Sequence, residues 1–169
     1  MTQTEFLNIV MPFKDKVFRL AKRLLVSTEE AEDATQEVFL KLWNNKEKMD
    51  ELKNVEAFSM TMTKNFCFDK LKSKQAQNLK IVHNNYEDAN TSLQKQVEAN
   101  DSVNWVARII EGLPEQQKLV IQLRDIEEYE LDEIAKMLDM NNTAVRVALS
   151  RARKTIREKL TNTHNYGIK

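Results

Sequence analysis

Cysteine occurs only once in the 169 residues, at Cys67, which excludes an internal disulfide and every zinc cluster built from several thiolates at short spacing. Histidine is almost as scarce. His83 and His164 lie far apart and neither stands at motif spacing from Cys67, so no thiol–imidazole nucleophile is indicated. A thiol flanked by Phe66 and Phe68 reads as packed core. Glycine and proline occur twice each, too little turn punctuation for a sandwich, barrel or doubly wound sheet, and an all-α chain is the consequence. Gly112 and Gly167 are isolated, so there is no glycine-rich phosphate loop and no nucleophile elbow. Catalytic chemistry, cofactors and metals have no candidate residues, and the expectation is a protein that is not an enzyme. No apolar run approaches the roughly 18 to 20 residues of a membrane span. The first residues lack a basic segment followed by an apolar one, so the sequence predicts a cytoplasmic protein without membrane insertion.

What the chain does have is charge, sorted along its length. Basic and acidic residues balance at 26 each, yet the balance is not local. Acids dominate residues 111–139, whereas residues 141–160 carry Arg146, Arg151, Arg153, Lys154, Arg157 and Lys159 against Glu158 alone. A second basic stretch, Lys64, Lys70, Lys72, Lys74 and Lys80, faces only Asp69. Two separated basic stretches in a neutral chain point to two local contacts with phosphate.

Apolar residues recur at steps of three and four from Phe6 through Val10, Phe13, Val17, Leu20 and Leu24, predicting a helix over 4–25 that Pro12 interrupts. Ser27 and Glu30 have the spacing of a capping box, opening a helix to about Asn44. Residues 45–53 read as a loop. Asn54 caps a further helix to about Ser73, with Phe58, Met62, Phe66 and Leu71 on its apolar face. From 75 to 102 the chain loses periodicity and reads as a flexible polar linker. It divides a module at 1–74 from one at 103–169. The second module opens with Val103, Val106 and Ile110, stops at Gly112, and restarts with Pro114 at a first helical position. Helices over 131–138 and 143–160, joined by a tight polar turn, have the outline of a helix-turn-helix.

At this point the residues become specific. Ala31-Glu32-Asp33-Ala34-Thr35-Gln36-Glu37-Val38-Phe39-Leu40-Lys41-Leu42-Trp43 resembles the region two signature of the extracytoplasmic-function (ECF) sigma factors, promoter-recognition subunits of bacterial RNA polymerase. Ala57-Phe58 and Asn65-Phe66-Cys67-Phe68-Asp69-Lys70-Leu71 are similar to the helix that follows it. Leu113-Pro114-Glu115-Gln116-Gln117, Leu131-Asp132-Glu133-Ile134-Ala135 and Leu149-Ser150-Arg151-Ala152-Arg153 resemble region four. The resemblance implies a transcription initiation factor that binds core RNA polymerase, reads minus-ten and minus-thirty-five promoter elements more than one helical turn apart, and nucleates DNA opening. It also implies an anti-sigma factor as a partner, with the free protein a monomer.

Each site has its reading from the residues and its reading from the resemblance. Asp33, Gln36, Glu37 and Lys41 form a polar stripe on one helix, a solvated face by chemistry alone and a polymerase-docking face by resemblance, with Phe39 and Trp43 at its margin. Trp43 reads equally as core. Lys53, Asn54, Val55, Phe58, Lys64, Asn65, Lys70, Lys72 and Lys74 are implied to hold the minus-ten element, an extruded base lying near Phe58 and Asn65. Phe58 reads first as core, whereas a polar Asn65 on an apolar helix suggests function. Asn142, Thr143, Arg146 and Val147 begin the recognition helix, and Ser150, Arg151, Arg153 and Lys154 are suited to phosphate. Ala144 and Val147-Ala148 depart from the commoner family pattern, leaving apolar contacts to thymine methyls from Val147 or Ala148. Two rival functions remain: a stand-alone helix-turn-helix regulator, and a polymerase-binding adaptor that reads no DNA.

Overall fold

The computed structural model describes residues 1–81 and 102–167, and among them every regular element is helical. Helix α1 (Gln3–Val10) begins with a capping box that the sequence pattern above does not include: Thr2 Oγ1 accepts from the Glu5 amide at 3.2 Å and the Glu5 carboxylate accepts from the Thr2 amide at 2.9 Å. Pro12 sits in a 3-10 turn (Met11–Phe13), after which α2 (Lys14–Leu25) restarts, so the expected interruption is present. Helix α3 (Thr28–Asn44) is capped by Ser27, which accepts from the Glu30 amide at 3.2 Å. Only half of that predicted box forms. The Glu30 carboxylate is drawn instead to Lys74, because a full opposite charge outcompetes a neutral amide.

Lys74 reaches Glu30 because the next long helix is longer than its periodicity suggests. The predicted loop contains a short helix, α4 (Lys46–Met49), with Met49 buried. Helix α5 (Val55–Ile81) then starts on Asn54, whose Oδ1 accepts from the Ala57 amide at 3.0 Å, and runs beyond Ser73. The expected linker over 75–102 is thus helical to Ile81 and again from Ser102, while 82–101 lie outside the described residues. Val17, Leu20, Ala21 and Leu24 of α2 pack against Ala34, Val38 and Leu42 of α3 and Met60 and Cys67 of α5. Cys67 is core, as expected, and burial pushes its thiol up to about 12. Buried Ser59 and Thr63 donate to carbonyls one turn back, at 2.7 Å each.

In the second module α6 (Ser102–Glu111) ends at Gly112, and α7 (Glu115–Ile121) begins after Pro114. Pro114 has an extended ψ of 149° and occupies the cap rather than the first helical position. A π-helical turn (Gln122–Ile126) follows, closed by the Glu127 amide on the Gln122 carbonyl at 3.0 Å. Helices α8 (Leu131–Leu138) and α9 (Asn142–Gly167) complete the module around Leu119, Val120, Leu123, Ile134, Val145 and Ala152. The modules do not stand apart. Helix α8 packs on α5, the π-helical turn packs on α2, and the buried residues of both modules form one continuous cluster.

Candidate nucleic-acid and protein interfaces

Val38 and Leu42 bury the inner face of α3, which leaves Asp33, Gln36, Glu37 and Lys41 exposed on the outer one. The Lys41 ammonium lies 5.0 Å from the centre of the Phe66 ring. Phe39 and Trp43 are half-buried at the edge of this face. Phe39 tilts against Phe13 with ring centres 6.3 Å apart, and Trp43 meets Phe6 edge-on at 5.1 Å. Beyond them lies an apolar groove between α1 and α3 that sequence reasoning missed, bordered by Leu7, Met11 and Leu40, all exposed. A signal was available: Leu7 and Met11 are four apart on one face, off the stripe that carries Phe6, Val10 and Phe13. An exposed apolar groove beside an acidic stripe has the chemistry of a protein-docking surface.

The start of α5 holds the second group. Lys53 and Asn54 are exposed and Val55 is half-buried. Phe58 is not core: 42% of it remains exposed, at the mouth of a cavity lined by Leu42, Met49, Leu52 and Met62, with Asn45, Lys48 and Glu51 on the rim. Short helix α4 makes that cavity, and reading 45–53 as a loop hid it. Phe58, Asn65 and Lys72 recur every seven residues, so they fall on one stripe of α5. Asn65 and Lys72 are exposed there, whereas Lys70 is half-buried. Two of the expected phosphate contacts are engaged internally: Lys74 with Glu30, and Lys64 with the Met137 carbonyl at 3.3 Å.

The third group follows the turn between α8 and α9. Asp139 ends α8 in the left-handed conformation, φ 52°, and Asn141 caps α9 by accepting from the Ala144 amide at 2.7 Å. Asn142 is therefore the first helical residue, and its side chain donates to Asp132 at 2.6 Å. Thr143, Arg146, Val147, Ser150 and Arg151 are exposed along α9. Ala148 is buried against α7, which leaves Val147 as the apolar group able to meet a thymine methyl. Arg153 forks Asp125 at 2.6 and 3.1 Å, and Lys154 lies 4.0 Å from Glu158. Gln116 and Gln117 of α7 share the groove beside Thr143 and Arg151, an addition to the expected set.

Both helical modules match known families. Residues 9–77 match Sigma-70 region 2 and residues 104–156 match Sigma-70, region 4. The ECF RNA polymerase sigma factor SigW of Bacillus subtilis is 27% identical over 172 residues, spanning 94% of this chain and 90% of the relative. This chain belongs to the ECF sigma factors. Mycobacterium tuberculosis SigK, another ECF RNA polymerase sigma factor, is 25% identical over 159 residues, spanning 92% of this chain and 85% of its own. The sigma factor also shares its fold with the sigma factor RpoE of Bartonella quintana, solved with the anti-sigma factor NepR, at a TM-score of 0.76 and 17% identity over 93% of this chain and 97% of that one. CnrH, solved with the cytosolic domain of CnrY, gives a TM-score of 0.69 at 18% identity over 95% and 90% of the two chains. As an ECF sigma factor the chain is a promoter-recognising transcription initiation factor. None of its helices among the described residues is long and apolar enough to cross a membrane.

Proposed function

We propose that this sigma factor docks on core RNA polymerase through the outer face of α3, with Asp33, Gln36 and Glu37 supplying charge and the Leu7–Met11–Leu40 groove supplying apolar area. The stripe of Phe58, Asn65 and Lys72 receives the non-template strand of the minus-ten element, an extruded base stacking on Phe58 above the α4 cavity. Helix α9 enters the major groove of the minus-thirty-five element, where Arg146 and Val147 read base edges and Ser150 and Arg151 hold phosphate. The protein acts in the cytoplasm as a monomer until it meets polymerase, and catalyses no reaction itself. The anti-sigma complexes of the two structural neighbours support an anti-sigma factor as a further partner.

The observation that carries this reading is the exposed aromatic ring of Phe58 over an apolar cavity, in a chain that also presents an exposed arginine near the start of a recognition helix. In vitro transcription with core polymerase and a promoter library tests it. Promoter-specific transcripts that require both the chain and the core enzyme are expected. A footprint on duplex DNA by the chain alone, without such transcripts, would return the stand-alone regulator, and core binding without either would return the adaptor.

A further inference from the structure

Cations outnumber acids in a cavity whose walls belong to none of the polymerase or promoter surfaces described above. Its volume is about 310 Å³, at the small end of the range of organic-ligand pockets, and it lies between α2, α6 and the π-helical turn. Arg19, Lys22, Arg23 and Val26 follow at steps of three and four and form the α2 wall. Asn104, Ala107 and Glu111 repeat that spacing along about 10 Å of α6. Gln122 and Ile126, the first and last residues of the π-helical turn, supply the third wall. Turns of this kind recur at functional sites.

One of the three cations is already matched, since Arg19 forks Glu127 at 2.5 and 2.9 Å. The other two are not. Half-buried Arg23 donates its Nε–H to Gln122 Oε1 at 2.9 Å, a neutral partner, and its two terminal nitrogens have no hydrogen-bond partner among the described residues. Burial lowers the pKa of this guanidinium, while the charge of Glu111 acts the other way without forming an ion pair. Lys22 is exposed, and its ammonium has no partner among the described residues. Gln122 is only 1% exposed, yet nothing among the described residues accepts from its amide nitrogen. Polar groups buried this deeply are normally hydrogen-bonded, so the junction of Arg23 and Gln122 lacks an acceptor. Val26 ends α2 in the left-handed region, φ 64°, where glycine is usual and a β-branched residue is strained. Its isopropyl group gives the cavity an apolar lip that glycine would not.

We infer that this cavity binds a small organic phosphate of nucleoside-monophosphate size, its phosphate held by Lys22, Arg23 and Gln122 and its body by Val26, Ala107 and Ile126. The donors select the anion. A guanidinium, an ammonium and an amide offer more N–H groups than the two oxygens of a carboxylate can use, and the three terminal oxygens of a phosphate match them. Asn104 presents a donor and an acceptor to the edge of a heterocycle, and Glu111 accepts from a hydroxyl or an amine. Binding here requires neither polymerase nor DNA. Isothermal titration of the full chain with the ribonucleoside monophosphates should give saturable one-to-one binding for at least one of them, with its parent nucleoside and inorganic phosphate each about tenfold weaker or more. Lys22→Gln and Arg23→Gln should each weaken that binding about tenfold. Ala107→Leu, which fills the cavity and keeps every cation, should abolish it. Lys22 is exposed, so its variant carries the test should Arg23→Gln or Ala107→Leu unfold, which circular dichroism would reveal. No saturable binding up to about 1 mM, or binding that the folded variants leave unchanged, would overturn the site. Inorganic phosphate binding as tightly as the nucleotide would overturn the role of the apolar walls. A single-stranded oligonucleotide without a terminal phosphate that displaces the monophosphate, and depends equally on Lys22 and Arg23, would overturn the small-molecule ligand and assign these cations to DNA.

Discussion

Replacing Phe58 separates a stacking platform from a packing residue, because the structure gives the ring a share in both. Truncating a fully buried phenylalanine costs about 3 to 5 kcal/mol. With 42% of Phe58 exposed, Phe58→Ala forfeits a little over half of that burial, roughly 2 kcal/mol of folding stability. Stacking of one base on an aromatic ring contributes about 1 to 3 kcal/mol, or roughly 5- to 150-fold in affinity. Phe58→Leu sharpens the contrast, since leucine fills much of the cavity beside Met49 and Met62 but offers no aromatic face. Anisotropy of a labelled single-stranded minus-ten oligonucleotide on the reconstituted holoenzyme reads affinity, and urea denaturation of the free chain reads stability. Phe58→Leu should lose oligonucleotide affinity while keeping most of its stability. Unchanged affinity in a folded Phe58→Leu holoenzyme would refute the stacking role and leave Phe58 as the lip of a structural cavity.

Arg146→Ala should weaken transcription and relax preference at one upstream base pair, by about 1 to 3 kcal/mol if the arginine grips guanine with two hydrogen bonds, and selection from an upstream-element library would expose unchanged preference. Asp33→Lys with Glu37→Lys should lower affinity for core polymerase without unfolding the chain, as both residues are exposed, and a pull-down titration showing normal affinity would return them to a solvated face. Burial holds the Cys67 thiol at about 12, so the native state retains a proton that the unfolded chain releases from about pH 8.5 upward, and stability falls as pH rises through that window. Urea midpoints taken from about pH 8 to 10.5 should decline more steeply for wild type than for Cys67→Ala, and parallel declines would show that burial does not set the thiol's protonation.

Those predictions draw on different levels of the molecule. The helical class, the break at Pro12, the caps at Ser27 and Asn54, the stop at Gly112 and the helix-turn-helix were legible in the sequence. Each depends on chemistry confined to a turn or two: a missing amide donor, a side-chain oxygen over a free amide, apolar residues on one stripe. The family was legible for the same reason, since its signatures are short runs along single helices. Helical periodicity could also assign Asp33, Gln36 and Glu37 to one face, and the structure leaves that face open.

What periodicity cannot supply is the identity of the surface across from a face. Glu30 has the spacing of a capping-box partner, yet Lys74 from a different helix takes its carboxylate. Arg153 reads as a phosphate ligand until Asp125 is folded against it, and Lys64 until α8 brings the Met137 carbonyl within reach. Phe58 sits at an apolar position of α5, and the placement of α4 turns that position into the mouth of a cavity. Glu127 is one acid among many in an acid-rich stretch, and a solvated carboxylate differs from a fully buried one only through the arginine that α2 places beside it. A charged side chain is solvated by default because desolvation is costly, and it leaves water only where a complementary group from elsewhere in the chain replaces those contacts. The sequence alone determined the helices, their faces and the family, because local hydrogen bonding and periodicity decide them. Only the tertiary structure decided which charges face solvent and which hold the two modules together, because that depends on pairs of residues far apart in the chain.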